Sequence, residues 1–137
     1  ITQQEIGEVV GEIDGLAGWL SMYGWYRLKA SREKALNTVK NEGAKIVAGE
    51  LEAFLKGRQE ARRRYLTILK AMSLKPMSWS EVKTYLEMEQ KTTINDSHIL
   101  NYVDNLVDYG FIEKRENVYE LTDPLVRDAL PLVPMQS

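Results

Sequence analysis

The stretch from Asn95 to Pro124, NDSHILNYVDNLVDYGFIEKRENVYELTDP, leaves this chain few folds to choose from. It reads as a helix, a stop and two short strands joined by a tight turn. Asn95 has the chemistry of an N-cap, Asp96 suits the positive end of the helix dipole, and Ile99, Leu100, Val103, Leu106 and Val107 recur at helical spacing. Gly110 then stands where a helix end favours a left-handed residue. Phe111 to Arg115 and Val118 to Leu121 carry strand-favouring residues on either side of Glu116-Asn117, a polar pair suited to a hairpin. A helix that runs directly into a two-stranded wing is the second half of a winged helix-turn-helix.

Length and composition bound the rest. The 137 residues suffice for one ordinary domain or two small ones, and an apolar fraction of 44% supports a buried core. No apolar run approaches the roughly 20 residues of a membrane span, and the amino end lacks the basic-then-apolar pattern of a signal peptide. A soluble, cytoplasmic chain with no membrane partner is therefore expected. The sequence opens on isoleucine, not methionine, which fits a piece of a longer protein. With no cysteine, disulfides and thiolate chemistry are excluded. The net charge of −2 hides a segregation: residues 1–26 carry −4, 27–75 carry +8 and 76–137 carry −6. A basic middle between acidic ends suits nucleic acid or the acidic surface of another domain.

Thr2 and Glu5 have capping-box spacing ahead of Ile6, Val9, Val10 and Ile13, which predicts a first helix over 3–14 ended by Asp14-Gly15. LAGWLSMYGWYRL, residues 16–28, is apolar nearly all round, through Trp19, Leu20, Met22, Tyr23, Trp25, Tyr26 and Leu28. Such a helix is either ordinary core or, in part, a docking surface for something outside the chain. Ser31 caps a predicted third helix reaching Lys56, and Gly43 and Gly49 inside it mark a break or a close helix packing. After Gly57 comes the most basic cluster, which includes Arg62, Arg63 and Arg64. It is a solvated helix face or a phosphate contact. From Tyr65 a helix bears Leu66, Ile68, Leu69 and Met72, and Ser78 to Glu81 forms a capping box before Val82, Tyr85 and Leu86. Thr92-Thr93-Ile94 is expected to add one bridge to the wing. Thr122-Asp123-Pro124 opens a brief closing helix, and Pro131 and Pro134 are expected to end regular structure.

Catalytic chemistry finds little support. Neither G-x-x-x-x-G-K-[ST] nor G-x-G-x-x-G occurs in the sequence. The single histidine, His98, lies among Asp96, Asp104 and Asp108, a weak ligand set, so it reads as a surface or boundary residue and no metal site is assigned. No nucleophile stands beside a base, so no catalytic residue is nominated. DNA binding is the ordinary role of a winged helix, yet Asn95 to Tyr109 contains three aspartates and no lysine or arginine. A recognition helix relies on basic neighbours to neutralise phosphates. Contact to the backbone through Arg62, Arg63, Arg64 and through Lys114 and Arg115 of the wing remains as the alternative.

IDGLAGWLSMYG, Ile13 to Gly24, and RRRYLTILKAM followed by LVDYGFIEKRENVYELTDPLVRDAL resemble the carboxyl-terminal part of the archaeal P-loop ATPases related to the AAA+ and STAND classes. The resemblance covers essentially the whole chain. It implies a mainly α fold in two units: a helical lid over 1–57 and, over 58–137, a winged helix-turn-helix with a small β wing of two or three strands. In that family a glycine-x-proline turn of the lid approaches the bound nucleotide. Gly15, Leu16 and Ala17 stand at that turn here, with the proline replaced, while Gly18, Trp19 and Leu20 match. ATP and magnesium would belong to the missing ATPase core, and this chain holds no cofactor of its own. Trp19, Met22, Tyr23, Trp25 and Tyr26 would dock on that core, or pair with a second copy of the chain through the same apolar face, and the winged helix would contact another protein. The other class of function is a free-standing winged-helix DNA-binding regulator.

Overall fold

Chemistry between neighbouring residues sets most helix boundaries in the computed structural model, which describes residues 2–13, 17–28 and 31–136. Thr2 Oγ1 accepts the Glu5 amide at 3.1 Å and starts α1 (Gln3–Ile13). The expected capping box is only half made, because the Glu5 carboxylate accepts from Tyr23 and Arg27 of α2 (Ala17–Arg27). Asp14, Gly15 and Leu16 lie outside the described residues, and so do the expected helix stop and most of the lid turn; Ala17 opens α2. Ser31 caps α3 (Arg32–Lys56), a helix unbroken at Gly43 and Gly49. A 3-10 turn, Gln59–Ala61, leads into α4 (Arg62–Met72).

Around α5 (Trp79–Gln90) the capping box is complete: Glu81 N donates to Ser78 Oγ at 3.2 Å, and Ser78 N donates to Glu81 Oε1 at 3.0 Å. Asn95 Oδ1 caps α6 (Asp96–Asp108) through the Ser97 amide at 3.0 Å. At the far end Gly110 has φ +81°. Its amide donates to Val107 O and that of Phe111 to Leu106 O, each at 3.0 Å, closing a Schellman motif.

The wing is an antiparallel pair, β1 (Ile112–Arg115) and β2 (Val118–Leu121), with Ile112 opposite Leu121 and Arg115 opposite Val118. Its extra bridge comes from Met77, not from Thr92-Thr93-Ile94. Met77 and Tyr119 exchange both backbone bonds, at 2.9 and 2.7 Å. Met77 lies between Pro76, whose ring disfavours helix before it, and the extended N-cap Ser78. The Ile94 amide is instead taken by Glu87 Oε2 at 2.7 Å. α7 (Leu125–Ala129) follows, and a 3-10 turn, Leu130–Leu132, continues past the expected stop because a proline at the first positions of a helix loses no bond.

One hydrophobic core runs from Val9 to Val133, with Leu51, Leu55, Leu66, Leu69, Leu106 and Leu125 fully buried. α3 packs on both α2 and α7. The contact is close at Gly43, where a Cβ would lie 2.5 Å from Leu125 Cδ1 and 3.3 Å from Trp19 Cζ3. Trp19 Nε1 donates to Asp123 Oδ2 at 2.6 Å, and Asp123 Oδ1 accepts the Leu125 amide at 2.9 Å. A buried carboxylate thus ties α2 to the start of α7. Among the described residues no helix is long and apolar enough to cross a membrane.

Candidate functional site

The face of α6 that a winged helix presents to a partner is acidic. Ile99, Tyr102, Val103 and Leu106 bury one side of the helix, which leaves Asp96, His98, Leu100, Asn101, Asp104 and Asp108 exposed. Lys83 of α5 pairs with Asp96, and that bond raises the lysine's pKa above its ordinary value. Near DNA the remaining aspartates would face phosphates at a cost of about 1 kcal/mol for each like-charge pair at 4 Å in water. His98 lies on this exposed face, its ring tilted 39° to that of Tyr102 with centroids 6.5 Å apart, a surface residue. Among the described residues no group of three His, Asp or Glu side chains is placed to hold a metal.

The arginine cluster does not form a patch. Arg62 is 3% exposed: its two terminal nitrogens donate to the Glu52 carboxylate at 3.0 and 2.5 Å, and its Nε donates to Pro134 O at 2.9 Å. The bidentate bond holds the Glu52 carboxyl below its usual range and raises Arg62. Arg64 donates to Tyr102 hydroxyl at 2.8 Å and to Gln90 Oε1 at 3.3 Å, which ties α4 to α5 and α6. Of the three, only Arg63 points fully to solvent. In the wing, Lys114 and Arg115 are exposed, but Arg115 Nε lies 2.7 Å from Glu120 and 3.2 Å from Glu113. Arg58, which opens the basic cluster in the sequence, lies over the Phe54 and Tyr109 rings at 4.3 and 4.7 Å. Its spacing of four from Phe54 was the available signal.

The apolar stretch of α2 divides between core and surface. Trp19 and Tyr23 turn inward, at 7% and 3% exposure, and Met22 and Tyr26 are half-buried against the core. Trp25 is 53% exposed and packs edge-to-face on Tyr26, and the neighbouring Leu28 is 84% exposed. The exposed apolar surface here is therefore centred on Trp25 and Leu28 with the half-buried Tyr26, narrower than the five residues named from sequence and shifted toward the helix end. Gly15 and Leu16 of the lid turn lie outside the described residues. The Glu5 link to Tyr23 and Arg27, which holds α1 on α2, was not foreseen; the Arg27 bond is the main cause that lowers the Glu5 pKa.

Residues 59–122 match the model of the MCM protein C-terminal winged helix-turn-helix domain. No curated protein sequence matches the chain. Among solved structures, the chain is similar to the Walker-type ATPase of Pyrococcus abyssi, at 29% identity and a TM-score of 0.79 over 96% of this chain. It spans 36% of that ATPase chain. A winged helix of the MCM type and this likeness to an archaeal ATPase, which takes in the preceding helices as well, together fit the carboxyl-terminal winged-helix portion of an archaeal ATPase.

Proposed function

We propose that the chain is the non-catalytic, regulatory and interaction portion of a P-loop ATPase of the AAA+/STAND-related type. Residues 1–57 form a lid that docks on the ATPase core of the same parent protein, and residues 58–137 form a winged helix that contacts protein. One observation carries the reading: the likeness to the Pyrococcus abyssi ATPase takes in nearly all of this chain and 36% of that one. The absence of a phosphate loop from the sequence agrees with it. ATP and magnesium belong to the parent's core. The described residues supply no carboxylate cluster for the metal, so no step of ATP hydrolysis is assigned to this chain. The exposed Trp25 and Leu28 support docking, and the acidic face of α6 supports protein over DNA as its partner.

Reading the coding frame upstream of Ile1, with the intact mass of the native protein, tests the first half. A strand followed by G-x-x-x-x-G-K-[ST] in the same frame is expected, and a start codon immediately before Ile1 would overturn it. The second half is tested by titrating duplex DNA at several salt concentrations. Negligible binding at physiological salt is expected. The exposed Lys114 and Arg115 of the wing favour a second reading, a DNA-binding regulator. That reading predicts measurable affinity with a log–log salt slope of about −0.9 per phosphate contacted.

A further inference from the structure

A groove crosses the seam where α3, α4 and the α7 segment meet, on elements the winged-helix reading leaves without a partner. Its first half, about 430 Å³, has an apolar floor of Leu66, Leu130, Pro131 and Val133 with Met135 at its edge. Lys70, Ser73 and Arg127 border it. Its second half, about 570 Å³, is polar and lined by Asn37, Lys40, Asn41 and Lys45 from α3 and by Arg127, Asp128 and Leu132 from the other wall. Arg127 and Pro131 line both halves, so the two lie side by side. Arg127 is anchored across the groove by its Nε, which donates to Ser73 O at 2.9 Å. The described lining residues include the cations Lys40, Lys45, Lys70 and Arg127 and the carboxylate of Asp128, and Lys45 also pairs with Glu42 of its own helix at 3.6 Å, which leaves the groove basic on balance.

We propose that this groove binds an acidic peptide segment of a partner protein, whose aliphatic side chain enters the apolar half while its carboxylates lie along Lys70, Arg127 and Lys45. Two features select a peptide over nucleic acid. None of the described lining residues is aromatic, so a single strand would find no ring on which to stack its bases. A duplex backbone, for its part, has no group that needs a dry aliphatic floor. An acidic segment with a leucine-type anchor uses both halves, the anchor for affinity and the charges for register and encounter rate. The inference does not rest on the ATPase reading and would hold equally for a free-standing chain.

The test is fluorescence polarisation of the 137-residue chain with three labelled dodecapeptides: mixed glutamate, aspartate and leucine; the same with lysine for every acid; and the same with serine for every leucine. Only the first is expected to bind, with micromolar affinity. Lys45 has a side chain 68% exposed and Lys70 is also exposed, so reversing them leaves the core intact. K45E together with K70E should weaken binding roughly tenfold or more. Lys56→Glu, outside the groove, should not. Met135→Ser, which changes the edge of the apolar half without changing charge, should also weaken it. The proposal is overturned if the first peptide binds no better than the other two, if Lys56→Glu weakens it as much as the groove variants, or if DNA oligonucleotides bind more tightly through the same lysines.

Discussion

Two glycines in one helix should respond in opposite directions to the same substitution. Alanine is about 1 kcal/mol more favourable than glycine in a helix interior. At Gly49, on the exposed side of α3, an added Cβ meets nothing within 4 Å, so Gly49→Ala should raise stability by nearly that amount. At Gly43 the same Cβ would lie 2.5 Å from Leu125 Cδ1 and 3.3 Å from Trp19 Cζ3. Leu125 is fully buried and the Trp19 indole is held by Asp123, so neither neighbour has room to yield. Overpacking of this kind costs about 1–3 kcal/mol, which turns the propensity gain into a net change between about zero and a loss of 2 kcal/mol. The two variants should differ by about 1–3 kcal/mol. At about 3–5 °C per kcal/mol for a chain of this size, that separates their melting temperatures by roughly 3–15 °C. Thermal unfolding followed by circular dichroism, with urea midpoints as a check on the m-value, measures it. If Gly43→Ala proves as stabilising as Gly49→Ala, the close approach of α3 to α7 is not as described.

Arg62→Lys keeps the charge but loses the fork that reaches both oxygens of Glu52 and Pro134 O, and should cost about 1–3 kcal/mol, whereas Arg63→Lys should stay within about 0.5 kcal/mol in the same urea titration. Equal effects would refute the inward placement of Arg62. Lys91 ends α5 with φ +53°, so Lys91→Gly should raise the urea midpoint by about 0.5–1 kcal/mol of stability, and a fall would contradict the left-handed cap. Glu81 titrates at about 2, lowered chiefly by the Ser78 amide and then by Lys75. Because the folded value lies below the ordinary 4.5, its stabilising effect is fully present above pH 4.5 and is lost as pH falls through about 2. A side-chain NMR titration should place the midpoint near 2 and Lys75→Gln should raise it; a midpoint above 4 in the parent chain would sink the assignment.

What the sequence made legible was chemistry between near neighbours. The Ser78–Glu81 box, the Asn95 cap and the left-handed Gly110 each depend on residues within four positions, and all are present. Partner choice over distance was not legible. Nothing in RRRYLTILKAM says that Arg62 will meet Glu52 or that Arg64 will meet Tyr102, because tertiary packing decides which face of α4 is buried. The same holds for Trp19, whose partner Asp123 lies 104 positions away. A helix apolar all round gives no periodicity from which to choose its outward side, so inward Trp19 and outward Trp25 looked alike. Met77 offered little signal beyond the extended N-cap Ser78 that follows it, whereas β-branched Thr92-Thr93-Ile94 offered propensity without a free backbone donor at Ile94.

These long-range ties bear on how a lid could act. The boundary expected between lid and winged helix falls after Gly57, where a hinge would have to lie. Yet α2 is bonded through Trp19 to Asp123 at the head of α7, α3 lies on Leu125 at Gly43, and Glu52 near the end of α3 grips Arg62 at the start of α4. All three links cross that boundary, and two of them are buried. Opening a hinge there would strand the Asp123 carboxylate without its indole partner and expose the Leu125 contact, penalties of about 1–3 kcal/mol for the hydrogen bond alone. In the proposed ATPase, a lid that moves with nucleotide would therefore carry the winged helix as one body. The wing and the groove beside α7 would then be displaced together, and a partner held in that groove would sense the state of the core without any rearrangement inside this chain.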